Sequence, residues 1–172
     1  MSETSRLADI FIKILREYLN ENGLILPRRE VGKMAIYRKE FKNPNPGYVK
    51  REATFLRKAA RFGLSPKLLK TDNETFIEMD DLREMSVGDM YGDDIKDIPP
   101  HILAGMFSLV WTLYHVCKIQ YRDLWPRNFI AKGDRVWIID FGDATKANDI
   151  PDEYVMEILK AGKITRWNPR FN

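Results

Sequence analysis

The sequence has almost no cysteine: among 172 residues only Cys117 carries a thiol, which excludes an internal disulfide framework. It also lacks long apolar runs. Nothing approaches the roughly 18 to 20 consecutive apolar residues of a membrane-spanning helix, the nearest being the mixed segment Ile102 to Val116. The opening Met1 to Ser5 is polar and carries no uninterrupted apolar core of the secretory kind. These absences together lead us to expect a soluble protein of a reducing, intracellular compartment, cytoplasmic with the nucleus also open, and without a membrane partner. Internal repeats and low-complexity tracts are missing too, so the order of elements has to carry the reading.

With 44% hydrophobic residues in 172, the chain fits one domain able to bury a sizeable core. Its net charge is only +3, but the sign is unevenly spread. From Arg28 to Lys70 thirteen Lys or Arg stand against three Glu, whereas Thr71 to Pro100 holds ten Asp or Glu against Arg83 and Lys96. The basic stretch 28–70 can attract phosphates or nucleic acid. A solvated face is the plainer reading, because no recognition-module signature accompanies the charge.

Leu7, Ile10, Phe11, Ile14, Leu15, Tyr18 and Leu19 recur at helical spacing and stop at Asn22-Gly23, which predicts a first amphipathic helix. Leu24 to Leu26 and Met34 to Phe41 read as two strands joined by a polar turn. Asn43-Pro44-Asn45-Pro46-Gly47 then breaks the chain before a helix over Tyr48 to Phe62, closed by Gly63. Lys67 to Leu69 and Thr75 to Met79 flank Asp72-Asn73 as a hairpin ending at Asp80-Asp81. After Pro99-Pro100 comes the strongest helix, with Ile102, Met106, Leu109, Val110, Leu113, Val116 and Cys117 on a wide apolar face. A loop from Tyr121 to Asn128 leads into a second hairpin, Phe129 to Ala131 and Val136 to Ile139 around Lys132-Gly133-Asp134-Arg135. A short helix around Asp152 to Ala161 precedes a polar and aromatic tail.

The second hairpin has a chemical consequence. Asn128 sits just before its first strand and Asp140 ends its second, so antiparallel pairing brings both side chains to the same end. Asp123 lies five residues before Asn128 in the same loop. Three oxygen-bearing side chains thereby converge beside an apolar strand, as a hard cation requires. Magnesium takes one or two such ligands plus substrate phosphates and water. A carboxylate outside the coordination shell can then orient or deprotonate a hydroxyl.

Tyr121-Arg122-Asp123-Leu124-Trp125-Pro126-Arg127-Asn128 resembles the protein-kinase catalytic loop H-R-D-L-K-P-x-N, and Asp140-Phe141-Gly142 resembles the D-F-G motif that follows it. Arg51-Glu52-Ala53-Thr54-Phe55-Leu56 is similar to the R-E-A-x-x-L helix of small atypical kinases such as the RIO kinases and the kinase subunit of the KEOPS tRNA-modification complex. The resemblance implies an α+β, protein-kinase-like two-lobed fold. Residues 1–79 would form a reduced N-lobe with an N-terminal helix, and residues 80–172 a minimal, truncated helical C-lobe. It implies ATP and Mg2+ as cofactors and transfer of the γ-phosphate to a hydroxyl, most simply on a protein Ser or Thr. In that frame Asp123 is catalytic, Asn128 and Asp140 hold magnesium, and Glu52 pairs with the lysine that grips the nucleotide phosphates. Lys39 is the favoured lysine, with Arg38 and Lys33 as alternatives. Phe76 to Leu82 looks like the strand entering the kinase hinge, so Met79, Asp80 and Leu82 would border ATP, Asp80 and Leu82 through main-chain atoms. Asp80 would otherwise cap the next helix. Phe141 would pack beneath the helix that carries Glu52.

The chain also departs from the family pattern. No G-x-G-x-x-G loop precedes Lys39, Tyr121 replaces the usual His, and Trp125 stands where protein kinases carry a catalytic-loop lysine. Only thirty residues follow Gly142, short of a long activation segment, and Arg122 is not expected to pair with a phosphate there. A pseudokinase that regulates a partner protein by binding is therefore a competing expectation, with a small-molecule kinase as a third. His115, His101, Cys117, Trp111, Trp137 and Trp167 read as structural residues.

Overall fold

The strand that carries Lys39 alternates in character because successive side chains leave a strand on opposite faces. In the computed structural model, which describes residues 35–171, this strand is β1 (Ile36–Glu40). The expected helix around Leu7 to Leu19, the strand Leu24 to Leu26 and the candidate Lys33 lie outside the described residues. β1 joins β2 (Leu68–Thr71) and β3 (Phe76–Asp80) in an antiparallel sheet of order β1-β3-β2. Its register sets Tyr37 opposite Met79 and Lys39 opposite Ile77. The β2–β3 turn is made by Asp72, whose carboxylate accepts from the N–H groups of Glu74, Thr75 and Phe76 at 2.9, 2.8 and 3.1 Å, with Asn73 in the left-handed region at φ 64°.

α1 (Tyr48–Ala60) starts after the Asn and Pro cluster and turns Val49, Glu52, Ala53, Leu56 and Ala59 inward at helical spacing. It ends two residues earlier than the sequence predicts, at Ala60, and Gly63 at φ 70° takes the chain away. The segment after β3 is more helical than expected, holding α2 (Val87–Tyr91) and a single 3₁₀ turn (Ile95–Asp97). Asp80 does not cap that helix. It is the last residue of β3, and Ser86 caps α2 by accepting from the Asp89 N–H at 3.0 Å.

α3 (Pro100–His115) has proline in its first turn and buries Ile102, Met106, Leu109, Val110 and Leu113. Cys117 just beyond it is buried, and burial pushes its thiol up to about 11. Val116 is only half-buried. Gly105 is needed for close approach: a Cβ there would lie 2.9 Å from Val136 Cγ2. β4 (Ile119–Gln120) follows, and then the ribbon of β5 (Phe129–Lys132) and β6 (Arg135–Ile138) expected from the sequence. β7 (Thr145–Lys146) returns to pair with β4, a ribbon not foreseen. α4 (Glu153–Ala161) is capped by Asp152, whose carboxylate accepts from the N–H groups of Tyr154 and Val155.

The architecture is α+β, and these elements lie within one compact unit, Ala35–Asn172. Its core runs continuously from Val49 and Leu56 of α1 through Ile77 and Met79 of β3 to α3, Phe129, Ile138, Phe141 and α4. Of the expected structural residues, Trp167 is buried, Trp111 and Trp137 are half-buried, and His101 and His115 are exposed. His115 stacks on Trp111 with ring centroids 4.5 Å apart. Among the described residues no helix is long and apolar enough to cross a membrane.

Candidate functional site

Adjacent residues of β1 have opposite surroundings. Arg38 faces outward, donating to Glu40 at 2.9 Å and Glu78 at 2.7 Å with its guanidinium over Phe76. Lys39 faces inward. Its Nζ lies 2.8 Å from Glu52 Oε1 and 2.9 Å from Asp140 Oδ1, so one cation joins a strand, a helix and the end of the β5–β6 ribbon. Arg38 thus pairs away from Glu52 and Asp140, whereas Lys39 stands in the candidate site.

Glu52 is 1% exposed, so its charge has lost nearly all contact with water. Burial pushes the Glu52 carboxyl above its ordinary range, and Lys39 opposes that shift. Burial likewise works against the Lys39 ammonium, but the charges of Asp140 and Glu52 outweigh it and hold Lys39 above the usual lysine value. Glu52 Oε2 is buried without a hydrogen-bond partner among the described residues.

Asp140 has a left-handed backbone, φ 58°, a conformation that a non-glycine residue keeps only when its surroundings hold it. Its Oδ1 accepts from the Gly142 N–H at 3.2 Å as well as from Lys39. Gly142 is required for its lack of a side chain, since a Cβ there would lie 1.9 Å from Tyr48 Oη. Arg51 donates to the Gly142 carbonyl at 3.0 Å. Phe141 is fully buried and meets Tyr121 edge-on, with centroids 5.6 Å apart. The 140–142 turn is thus tied to α1 by Tyr48, Arg51 and, through Lys39, Glu52.

The loop from Tyr121 to Asn128 is anchored at both ends. Tyr121 is buried and its hydroxyl donates to the Ile139 carbonyl at 2.8 Å, while Ile139 N–H donates to the Asn128 carbonyl at 2.9 Å. Asn128 and Asp140 therefore share one end of the β5–β6 ribbon. The Asn128 amide donates to Asp123 Oδ2 at 2.8 Å and to the Asp123 carbonyl at 3.1 Å. Burial raises the Asp123 pKa; the Asn128 hydrogen bond pulls it down, and the charges of Asp140 and Asp143 push it further up.

These contacts leave Asn128 Oδ1 and Asp140 Oδ2 outside the hydrogen bonds just described. One amide oxygen and one carboxylate oxygen suit magnesium that arrives with phosphates and keeps water, and are too few for an all-protein cage. Among the described residues no group of three or more His, Cys, Asp or Glu side chains is placed to hold a metal.

A cleft of about 340 Å³ opens beside Lys39 and Asp140. Met79, Asp80 and Leu82 line one wall, and Ile130 and Ile139 of the ribbon region line another. The Asp81 N–H donates to the Ala35 carbonyl at 3.0 Å, which fixes the chain at the cleft's edge. Glu52, Asp123 and Asn128 do not line the cleft; Glu52 stands behind Lys39, and the other two connect to it through Ile139. Tyr37, Ser86, Asp89 and Arg127 also line it and were not singled out from the sequence. Arg127 is held by Asp89 at 2.9 Å and Asp93 at 3.2 Å. Its position beside Pro126 in the loop was the only available signal.

Arg122 donates to the Asp143 carbonyl at 2.8 Å, and Trp125 packs edge-on against Trp167 with centroids 6.2 Å apart. No protein-family model and no curated protein matches the chain.

Proposed function

We propose that the chain is an ATP-dependent phosphotransferase of protein-kinase-like type that transfers a γ-phosphate to a hydroxyl, with a protein Ser or Thr as the acceptor. In this reading the β1–β3 sheet with α1 is the reduced small lobe, and α3, the two ribbons and α4 are a minimal large lobe. The observation that carries it is the three-way contact of Lys39 with Glu52 and Asp140 at the mouth of a cleft walled by Met79, Asp80 and Leu82.

Lys39 is a cation held in place before any ligand enters, which suits it to triphosphate oxygens. Met79, Leu82, Ile130 and Ile139 offer apolar surface to a purine. Asn128 and Asp140 would hold magnesium, which supplies neutralisation of the charge on the phosphates. Asp123 accepts the proton of the acceptor hydroxyl as its oxygen forms the new bond to phosphorus and the nucleoside diphosphate leaves.

The test is a pair of measurements on the purified chain. Magnesium-ATP should raise the melting temperature, and Asp140→Asn should remove most of the rise. Labelled γ-phosphate should appear on the chain itself or on a generic protein acceptor, and Asp123→Ala should abolish it. Absence of both effects in the unaltered protein rejects the proposal.

Trp125 favours a second reading. Where the resembled loop carries a lysine, this side chain packs on Trp167 and provides no cation for the transferred group. A chain that is stabilised by nucleotide and never transfers phosphate would be a kinase-like binding protein.

A further inference from the structure

The four hydrogen bonds that fix the main chain around Asp123 come from unequal sources. The Asp123 carbonyl accepts from the Trp125 N–H at 3.1 Å and from the Asn128 amide at 3.1 Å. The Arg122 carbonyl, one peptide earlier, accepts from the Leu124 N–H at 2.9 Å and from the Asn168 amide at 2.8 Å. Three of these donors belong to the loop itself. Asn168 comes from the C-terminal segment, forty-six residues away.

Asn168 is 0% exposed, and both ends of its amide are used. Its Oδ1 accepts from the Arg170 N–H at 3.1 Å, and its own carbonyl accepts from the Phe171 N–H at 3.1 Å, so residues 168–171 form a turn that aims Nδ2 at the loop. A buried amide with both ends used in this way has one orientation. The segment is tied down on both flanks. Trp167 Nε1 donates to the Asp93 carbonyl at 2.7 Å, and its ring meets Trp125. Tyr154 Oη donates to the Arg166 carbonyl at 2.6 Å, and the Arg170 guanidinium reaches Asp152 Oδ2 at 3.4 Å. Two of these anchors, Tyr154 and Asp152, belong to or cap α4.

We propose that the segment Trp167–Phe171 is an intramolecular clamp and that Asn168 is a positioning residue, which holds the Arg122–Asp123 peptide so that the Asp123 carboxylate keeps its aim. Asn168 touches no reacting atom; it acts through the Arg122 carbonyl. Asn168 holds the carbonyl before the Asp123 α-carbon and Asn128 the carbonyl after it, so the main chain on both sides of that α-carbon is held. This inference rests on the phosphotransferase reading for its kinetic consequence and on the hydrogen bonds alone for its structural one.

Asn168→Asp keeps the shape and replaces the donor with an acceptor facing the Arg122 carbonyl. We expect kcat to fall by about a hundredfold, as for a small misplacement of a catalytic group. The KM for ATP and the rise in melting temperature with magnesium-ATP should be unchanged. Hydrogen–deuterium exchange should speed up in the peptide covering 121–128 and not in the one covering β1. Trp167→Phe removes the donor to Asp93, shrinks the ring that meets Trp125 and places no charge in the core, so it serves if Asn168→Asp does not fold. Its effects should run the same way and be smaller. Glu157→Gln, which releases Arg166 on the outer face of α4, should change none of these readings. Unchanged kcat and unchanged loop exchange in folded Asn168→Asp would overturn the clamp. So would exchange that rises throughout the chain together with loss of nucleotide stabilisation, because Asn168 would then be a general packing residue. If the unaltered chain shows neither stabilisation by magnesium-ATP nor phosphate transfer, the phosphotransferase reading falls; the exchange of 121–128 still decides whether the clamp exists.

Discussion

Lys39 is held by two carboxylates, whereas Asp123 is held by a mesh of amide and main-chain hydrogen bonds around it. The sheet side of the site is thus an electrostatic device. Its geometry depends on a nearly buried charge, Glu52, keeping its cation, and an incoming anion competes directly for that cation. The loop side is a geometric device. Apolar packing of Tyr121, Phe129 and Phe141 and a set of hydrogen bonds from neutral donors fix it, and the Asp123 carboxylate has no ion pair among the described residues. The difference teaches where each half is vulnerable: the first to loss of charge, the second to loss of shape.

The largest effect is expected on the loop side. Asp123→Ala should lower the rate of phosphate transfer by about 10²–10⁴-fold, the usual range for a general base, and leave stabilisation by magnesium-ATP intact in a thermal-shift assay. A parallel loss of nucleotide binding would erase the division between the two halves. Next comes the sheet side. Lys39→Met leaves Glu52 buried without its cation and should cost about 3 kcal/mol, lowering the melting temperature by roughly 10 °C. Adding Glu52→Gln should restore part of the loss, because the orphaned charge is then gone. Arg38→Met, one residue away on the exposed face, should leave the melting temperature within experimental error.

A steric substitution probes the junction between the halves. Gly142→Ala would set its Cβ 1.9 Å from Tyr48 Oη, and α1 or the 140–142 turn must move to relieve it, at about 1–3 kcal/mol. Tyr48→Phe in the same chain removes the oxygen in the way and should recover a measurable part of the melting temperature. Gly133→Ala, at a turn with open space around it, should cost only the left-handed backbone conformation, about 1 kcal/mol.

The sequence made the local parts of this arrangement readable. The helices α1, α3 and α4 were visible because apolar spacing and end signals agreed, and the β5–β6 ribbon because a Gly-containing turn sits between two alternating runs. That ribbon is what brings Asn128 and Asp140 to one end, so their convergence followed from spacing, whereas the pairing of Glu52 with Lys39 followed only from the resemblance. The choice of Lys39 over Arg38 was open because both alternate faces of β1 carry a cation; the structure sets Lys39 on the face that meets Glu52. The β4–β7 ribbon was unreadable, since its strands are two residues each and lie twenty-five residues apart. Asn168 was equally hidden: a single amide whose partner is distant leaves no periodic trace. The alternative reading of Asp80 as a helix cap failed because an acidic residue before a helix suggests a cap, while β3 extends far enough to claim it.

The smallest effect, and the one that separates the two halves most finely, is in pH. Lys39 has a raised pKa, so its stabilising contribution is complete below the ordinary lysine value of about 10.4 and is lost as pH rises through the higher folded value. The Lys39 contribution to the sheet side is therefore lost only on the alkaline side. Asp123 also has a raised pKa, with burial as the main cause, but its ionised form is the one that accepts a proton. Transfer should then fail as pH drops through a value above the ordinary aspartate range of about 3.9. The charge of Asp143 contributes to that elevation, and Asp143 meets Arg122 through its main-chain carbonyl, not its carboxylate. Asp143→Asn keeps that hydrogen bond and removes the charge, so the acid limb of the kcat–pH profile should move to lower pH while the plateau stays level. A limb that does not move would mean that burial and Asp140 alone set the proton affinity of Asp123. A limb that moves upward would contradict the electrostatic account of the loop.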